Sequence, residues 1–172
     1  MASVPLAPPD VEERLRARFG DDVTSYADQH GHATVGVTPG RYREIVRFLR
    51  DDAAFACDFL DFVAGVDHAE DGLEVVTHVS STTHKHNVRV KVALPKDDPS
   101  CPSIADIYPG ANWHERETME MFGIDFEGHP LPVKLLLSEP FDAHPLRKDF
   151  VLMSREAKPW PGAVEGEEEE EE

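Results

Sequence analysis

The stretch that decides the fold is LEVVTHVSSTTHKHNVRVKVAL, residues 73–94. It holds two apolar runs, 73–80 and 88–94, on either side of a polar connection, which predicts two antiparallel strands joined as a hairpin. In the second run valines alternate with basic residues: Val88, Arg89, Val90, Lys91 and Val92. One face of this strand is therefore apolar and the other charged, which predicts a sheet with one buried face.

The sequence before the hairpin predicts two helices and two further strands. Apolar residues recur every three to four positions in 10–20 and 41–50, the spacing of amphipathic helices. Residues 33–38 alternate, and 55–66 are rich in aromatic and aliphatic residues, as in strands. Helices come early and strands then cluster without regular crossover units, which favours α+β over a doubly wound sheet. We predict a two-layer sandwich of a mixed or antiparallel sheet with the N-terminal helices on one face, followed by an extended C-terminal ribbon.

Composition excludes several classes of protein. The 172 residues suit one domain with its own core, and the net charge of -17 would repel nucleic acid. No apolar run approaches the ~20 residues of a membrane span, and the N-terminus lacks the basic and apolar parts of a secretion signal. Cys57 and Cys101 are too few to predict an iron–sulfur or zinc framework. We therefore expect a soluble chain that carries no cluster of its own.

The two ends of the chain differ in composition from its centre. We predict a flexible N-terminus over residues 1–9, a domain over 10–150, an extended C-terminal anchor over 151–164 and a disordered tail over 165–172. The tail is a run of glutamates, which cannot bury apolar area. Within the anchor, Trp160 stands between two prolines and can add aromatic area to an interface at low entropic cost.

Three histidines raise the question of a metal. His84 and His86 would share one face of a strand, His78 lies nearby in sequence, and imidazole is a common zinc ligand. A metal site needs a third ligand at a definable spacing and groups that orient the ligands. We therefore interpret these histidines as exposed or hydrogen-bonded, with a free-standing metal-dependent hydrolase as an alternative.

The segment from Glu115 to Phe150 carries polar residues that neither a helix nor a strand requires. We predict a helix over 113–122, with Asn112 as its N-cap and a stop at Gly123. At ~100° per residue, Glu115 falls between two apolar positions, so its carboxylate is carried inward with them.

A carboxylate buried at position 115 needs a partner, because leaving it unpaired is costly. We expect that partner to be a cation, Arg147 or Arg116. Arg116 and Glu120 are also spaced for an exposed pair on neighbouring helical turns.

The same polar residues could instead be catalytic, with Glu115 or Glu117 as general base and His129 or His144 as proton shuttle. No nucleophile motif, phosphate loop or metal-ligand spacing completes such a site. A proline follows each histidine and holds it in an extended conformation, which suits a fixed ribbon that presents side chains to a neighbour. We therefore favour recognition over chemistry.

This segment resembles the 30 kDa-type subunit family of respiratory complex I, which in bacteria is the C-type subunit of NADH-quinone oxidoreductase. The family pattern is an acid-Arg-acid triplet, a further acid, two hydrophobics, a histidine, a basic residue and aliphatics. This chain supplies Glu115, Arg116, Glu117, Glu120, Met121, Phe122, His129, Lys134, Leu135 and Leu136. PGANW, FGIDFEGHP and HPLRKDF extend the resemblance. The chain departs at Thr118-Met119, where the family usually has a hydrophobic-aromatic pair. It departs again at Lys134 and Ala143, where arginine and glycine are usual.

The resemblance implies a structural subunit of a proton-translocating NADH-quinone oxidoreductase. Such a subunit lies in the peripheral arm, on the cytoplasmic side of the bacterial membrane, and reaches the membrane through the complex only. Its partners are the large hydrogenase-like subunit of the quinone site and neighbouring iron–sulfur subunits. FMN, iron–sulfur clusters, NADH and quinone belong to the complex, with no redox centre or catalytic residue in this chain. The alternative is the equivalent subunit of a related membrane-bound hydrogenase or of a dehydrogenase that uses another donor.

The candidate site residues would either brace the C-terminal ribbon or contact the large subunit, and the sequence leaves both roles open. They are Glu115, Arg116, Glu117, Phe122, Gly123, His129, Pro130, His144, Pro145, Leu146, Arg147, Lys148, Asp149 and Trp160.

Overall fold

The computed structural model describes residues 5–29, 31–138 and 140–151. Its centre is a sheet of five strands, which are β1 (Val23–Gln29), β2 (His32–Val37), β3 (Phe59–Asp67), β4 (Leu73–Ser80) and β5 (Asn87–Leu94). Their order in the sheet is β1-β2-β5-β4-β3. β2 and β5 pair in parallel, and the other neighbours pair antiparallel.

Three helices lie on one face of this sheet, and they are α1 (Pro8–Phe19), α2 (Pro39–Asp51) and α3 (Ala111–Phe122). Tyr42 of α2 reaches β4, where its hydroxyl lies 2.6 Å from Thr77 Oγ1. Thr77 pairs with Val90, so this face carries the buried valines of β5. Gly65 of β3 shares the face and lies directly beneath the Phe122 ring of α3. The predicted α+β sandwich with helices on one face is confirmed.

Two short strands hold α3 in place. β6 (Ser100–Pro102) and β7 (Asp125–Glu127) form a separate parallel pair. Because α3 connects them, both of its ends are tied to the same small sheet.

Several predicted elements are confirmed with small changes of boundary. The predicted hairpin is β4 and β5, paired from Leu73 with Leu94 to Ser80 with Asn87. The helices predicted over 10–20 and 41–50 are α1 and α2, each of which begins at a proline, a residue suited to a first helical turn.

Other elements differ from the prediction. The strand predicted over 55–66 begins only at Phe59, because Ala56 takes a positive φ of 42° in a turn after α2. β1, β6 and β7 are not predicted. The expected extended anchor from residue 152 onward, the acidic tail and residues 1–4 lie outside the described residues and stay predictions. In the part of the chain that the structure describes, no helix is long and apolar enough to cross a membrane.

Candidate functional site

The candidate site lies where α3 meets the segment 128–150, which we call the ribbon. α3 begins at Ala111 rather than Trp113, and its N-cap is Gly110 without a side-chain hydrogen bond. The prediction that Asn112 caps the helix is wrong. The chain enters the helix through a backbone turn instead, in which the Ala111 N–H donates to Tyr108 O at 2.9 Å.

Glu115 is buried, as predicted, with its side chain fully excluded from solvent. Its Oε2 accepts a hydrogen bond from Ser103 Oγ at 2.6 Å, and its Oε1 accepts one from the Ile104 N–H at 2.7 Å. Burial raises the pKa of Glu115 to about 6 against these two hydrogen bonds, which favour the ionised form. The side chain therefore fastens the segment after β6 to α3.

The prediction that Arg116 or Arg147 pairs with Glu115 is wrong. Arg116 and Arg147 bind elsewhere, and the nearest histidine nitrogen is His129 Nε2 at 3.7 Å from Oε2. His129 Nδ1 accepts from the Leu131 N–H at 3.0 Å, so the proton of this ring lies on Nε2, where Asn112 O is 3.2 Å away. Two neutral donors and a raised pKa, rather than a salt bridge, accommodate the buried carboxyl.

Arg116 and Glu120 hold the ribbon by its backbone, and we call this pair the clamp. Arg116 donates from Nε to Val133 O and from a terminal nitrogen to Lys134 O, both at 2.8 Å. Glu120 accepts the next three N–H groups, of Leu135, Leu136 and Leu137, at 2.7, 2.8 and 3.2 Å. Both clamp side chains belong to buried residues, so the prediction of an exposed pair is wrong. Five consecutive ribbon residues are held by one helical turn.

The distal part of the ribbon caps the C-terminus of α3. A helix leaves its last four carbonyls without internal partners. Here they accept hydrogen bonds from the Gly123 N–H, His144 Nδ1, the Leu146 N–H and Arg147 Nε, at 2.9, 2.9, 3.1 and 2.6 Å. Gly123 takes the left-handed conformation with φ of 68°. The positive guanidinium also lies at the negative end of the helix dipole.

The end of the ribbon is tied to the main sheet. The Lys148 N–H donates to Asp67 Oδ2 at 2.8 Å, and this bond is the first cause that lowers the pKa of Asp67. Asp149 lies 3.8 Å from Lys96 Nζ. Within the ribbon, Lys134 Nζ donates to Phe141 O at 2.8 Å and closes the loop between them. The lysine that departs from the family pattern therefore has a definite structural role.

The structure divides the predicted site residues into two groups. Glu115, Arg116, Phe122, Gly123, His129, His144 and Arg147 make the buried or capping contacts within the chain. Glu117, Pro130, Leu146, Lys148 and Asp149 are exposed, Pro145 is half-buried, and Trp160 lies outside the described residues.

Sequence reasoning missed three functional groups. Ser103 and Asp67 lie far from the motif in sequence and give no local signal. Glu120 is predicted from sequence only as one member of an exposed pair. It follows Arg116 by four residues, which puts both side chains on one side of α3.

The histidines weighed as metal ligands have other contacts. His84 Nε2 lies 3.0 Å from Ala53 O, and His86 Nδ1 accepts from the Leu6 N–H at 3.3 Å. Burial lowers the pKa of His86 and also that of His78. Among the residues placed by the structure, no cluster of three His, Cys, Asp or Glu side chains could hold a metal ion.

The fold and the site together define an α+β domain in which a charged helix motif fixes a C-terminal ribbon. Residues 35–156 match the family model described as respiratory-chain NADH dehydrogenase, 30 Kd subunit. The chain belongs to this family.

Relatives and solved structures agree with that membership. The chain is 43% identical to the C-type subunit of NADH-quinone oxidoreductase from Roseiflexus sp. (strain RS-1), covering 85% of each chain. It is 45% identical to the corresponding subunit from Rhodobacter capsulatus, covering 82% of this chain and 71% of that one. A trypsin-resistant fragment of Nqo5 superposes with a TM-score of 0.61 at 27% identity, over 72% of this chain and 97% of the fragment. A chain of the archaeal membrane-bound sulfane sulfur reductase shares the fold, with a TM-score of 0.67 at 21% identity over 84% of this chain and 86% of that one.

Proposed function

We propose that this chain is a non-redox structural subunit of the peripheral arm of a proton-translocating NADH-quinone oxidoreductase. In that complex it docks the large hydrogenase-like subunit that forms the quinone site. The names of its relatives support the complex, since both are subunits of NADH-quinone oxidoreductase. The observation that carries the structural role is the clamp, because two buried charged side chains form five hydrogen bonds to backbone groups of the ribbon.

The chemistry of the motif favours a structural role over a catalytic one. A general base or proton shuttle must be within reach of a substrate. Glu115 and His129 are instead buried against their own chain, and His144 donates to a helix carbonyl. Burial raises the pKa of the Cys57 thiol to about 12 and raises that of Cys101 further, which suits packing groups rather than cluster ligands. FMN, the iron–sulfur clusters, NADH and quinone are bound by other subunits.

The ribbon supplies the docking surface of the proposed assembly. Fixing a segment in one conformation before association reduces the entropic cost of binding. The ribbon backbone is fixed at its middle by the clamp and near its end by Asp67, which holds the backbone that carries the outward side chains. Neighbouring iron–sulfur subunits would flank the same arm. The chain would then lie on the cytoplasmic side of the bacterial membrane and reach the membrane through the complex alone.

Purification of the tagged full-length chain from native membranes tests this proposal. Mass spectrometry should find the large quinone-site subunit together with the NADH-oxidising flavoprotein subunits, and the preparation should reduce quinone with NADH. Recovery of the large subunit without the flavoprotein subunits would favour a related hydrogenase or a dehydrogenase with another donor. Stoichiometric zinc with hydrolytic activity in the chain alone would favour the hydrolase.

A further inference from the structure

His86, in the turn between β4 and β5, binds the segment that leads into α1. The backbone N–H of Leu6 donates to His86 Nδ1 at 3.3 Å, although the two residues are 80 positions apart in the chain. A backbone N–H can only donate, so Nδ1 must be without a proton for this bond to form. A proton added to Nδ1 would set two donors against each other and break the contact.

The surroundings of the buried His86 ring disfavour a second proton. The His84 ring stacks on it with 5.8 Å between the ring centres and 9° between the planes. The Phe55 ring meets it edge-on at 6.4 Å, and Cys57 Sγ lies 4.0 Å from Nε2. Burial, and after it the neighbouring His84 ring, lower the pKa of His86 against a backbone hydrogen bond at Phe55.

The other charged and titratable groups on the surrounding elements are engaged elsewhere or carry the same sign. Lys85 is exposed in the same turn, and His32 Nδ1 of β2 contacts an asparagine oxygen at 2.6 Å. The carboxylates of the turn after α2, Asp52 and Asp58, each accept a backbone N–H, at 2.9 and 2.8 Å. The residues that the N-terminal segment and α1 turn toward His86 are apolar: Pro5, Leu6, Pro8 and Val11.

The packing around this contact leaves room for movement. A cavity of about 270 Å³ lies between the N-terminal segment and the adjoining ends of β2 and β5, with His86 in its wall. The two turns beside the ring each hold a non-glycine residue at positive φ, Ala56 at 42° and Lys85 at 62°. Such conformations persist only where surrounding contacts maintain them. Water can therefore reach His86, and the segment can leave without emptying the core.

We propose that His86 is a pH-sensitive latch, which keeps the segment from residue 5 to the first turn of α1 closed on the sheet while Nδ1 is an acceptor. When Nδ1 takes up a proton from water, the Leu6 N–H turns to solvent and the segment opens. The step exchanges hydrogen bonds and breaks no covalent bond. Histidine suits this role because its charge changes near neutral pH. The latch is a property of the chain itself and does not depend on the proposed function.

Amide hydrogen exchange of the purified full-length chain measures the opening of the latch. Protection factors divide out the intrinsic effect of pH on exchange, so they report the opening alone. Between about pH 7.5 and about pH 5.5 the protection factor of the Leu6 amide should fall by about threefold to tenfold, because an open histidine with an ordinary pKa of about 6.5 takes up its proton in this range. The Val90 amide in the central sheet should change by less than about twofold.

His86→Asn keeps an acceptor oxygen near the place of Nδ1 and cannot take up a proton, so its Leu6 protection factor should change by less than about 1.5-fold over the same range. His68→Asn replaces an exposed histidine before β4 and, as the matched control, should keep the wild-type fall. A wild type without the fall, or a fall that persists in His86→Asn, would overturn the latch.

The ¹⁵N chemical shifts of the wild-type His86 ring keep the test decisive if His86→Asn does not fold. Nδ1 should gain its proton over the range of pH in which the Leu6 amide loses protection. Proton uptake at Nδ1 without loss of protection at Leu6, or loss of protection without proton uptake, would overturn the latch as well.

Discussion

Replacing Glu120 by glutamine weakens the clamp while keeping the shape of the side chain. The carboxylate accepts three backbone N–H groups, two on Oε1 and one on Oε2. A glutamine keeps one acceptor oxygen, and its amide nitrogen turns a donor toward the remaining N–H. If the amide oxygen takes the place of Oε1, the bonds from the Leu135 and Leu137 N–H groups remain, and the Leu136 N–H loses its acceptor.

The cost follows from the strength of these bonds. A hydrogen bond to a charged group contributes about 1.5–3 kcal/mol, and a neutral bond contributes about 0.5–1.5 kcal/mol. Losing one charged bond and weakening two others should destabilise the local fold of the ribbon by about 2–4 kcal/mol, allowing for water on the ribbon side of the contact. Because each 1.4 kcal/mol is a factor of ten, local opening should rise by about 30-fold to 1000-fold.

Native-state hydrogen exchange of the purified chain measures this opening. The amides of Leu135, Leu136 and Leu137 should exchange faster in Glu120→Gln, while the Val90 amide in the central sheet keeps its rate. Glu117→Gln is the matched control, because Glu117 is exposed on the same helix and should leave all these rates unchanged. Protection at Leu136 within about threefold of the wild type would refute the clamp as the element that orders the ribbon.

Three further predictions concern the same helix. Burial raises the folded-state pKa of Glu115 to about 6 from an ordinary 4.5, so its stabilising contribution is present below pH 4.5 and about 2 kcal/mol is lost as pH rises through 6. Urea unfolding should show that Glu115→Gln lacks this loss. A difference in unfolding free energy between wild type and variant that stays constant from pH 4.5 to 7.5 would contradict it. Gly123→Ala places a methyl 2.5 Å from His144 Nε2 at positive φ and should lower the free energy of unfolding by at least about 1 kcal/mol. Gly110→Ala, with open space around it, should not. Arg147→Ala removes a helix cap and should weaken incorporation into the complex while the isolated domain stays folded; normal assembly with undiminished quinone reductase activity would count against it.

The sequence predicts the fold where periodicity is strong. β4, β5 and the first two helices follow from alternating or helically spaced apolar residues. β1 is not predicted because its sequence, VTSYADQ, contains too few apolar residues to indicate an edge strand. β6 and β7 have three residues each and form only because α3 brings them together. The β-propensity of a short segment does not predict a strand that forms only by pairing with a segment distant in sequence.

The candidate site is also predicted only where it depends on local spacing. The helical spacing correctly predicts that Glu115 points inward. Its donors, Ser103 Oγ and the Ile104 N–H, lie upstream across a turn, so the sequence suggests a nearby arginine in their place. The family motif identifies Arg116 as important, but only the path of the ribbon shows that its partners are backbone carbonyls.

The most direct test of a ribbon held for docking is the amount of large quinone-site subunit that co-purifies with three tagged forms of the full-length chain. The wild type and Glu117→Gln should recover equal amounts of that subunit and equal NADH-driven quinone reduction. Glu120→Gln should recover several-fold less of both. Recovery with Glu120→Gln equal to the wild type would contradict the account, because the ribbon would then dock without the carboxylate that orders it.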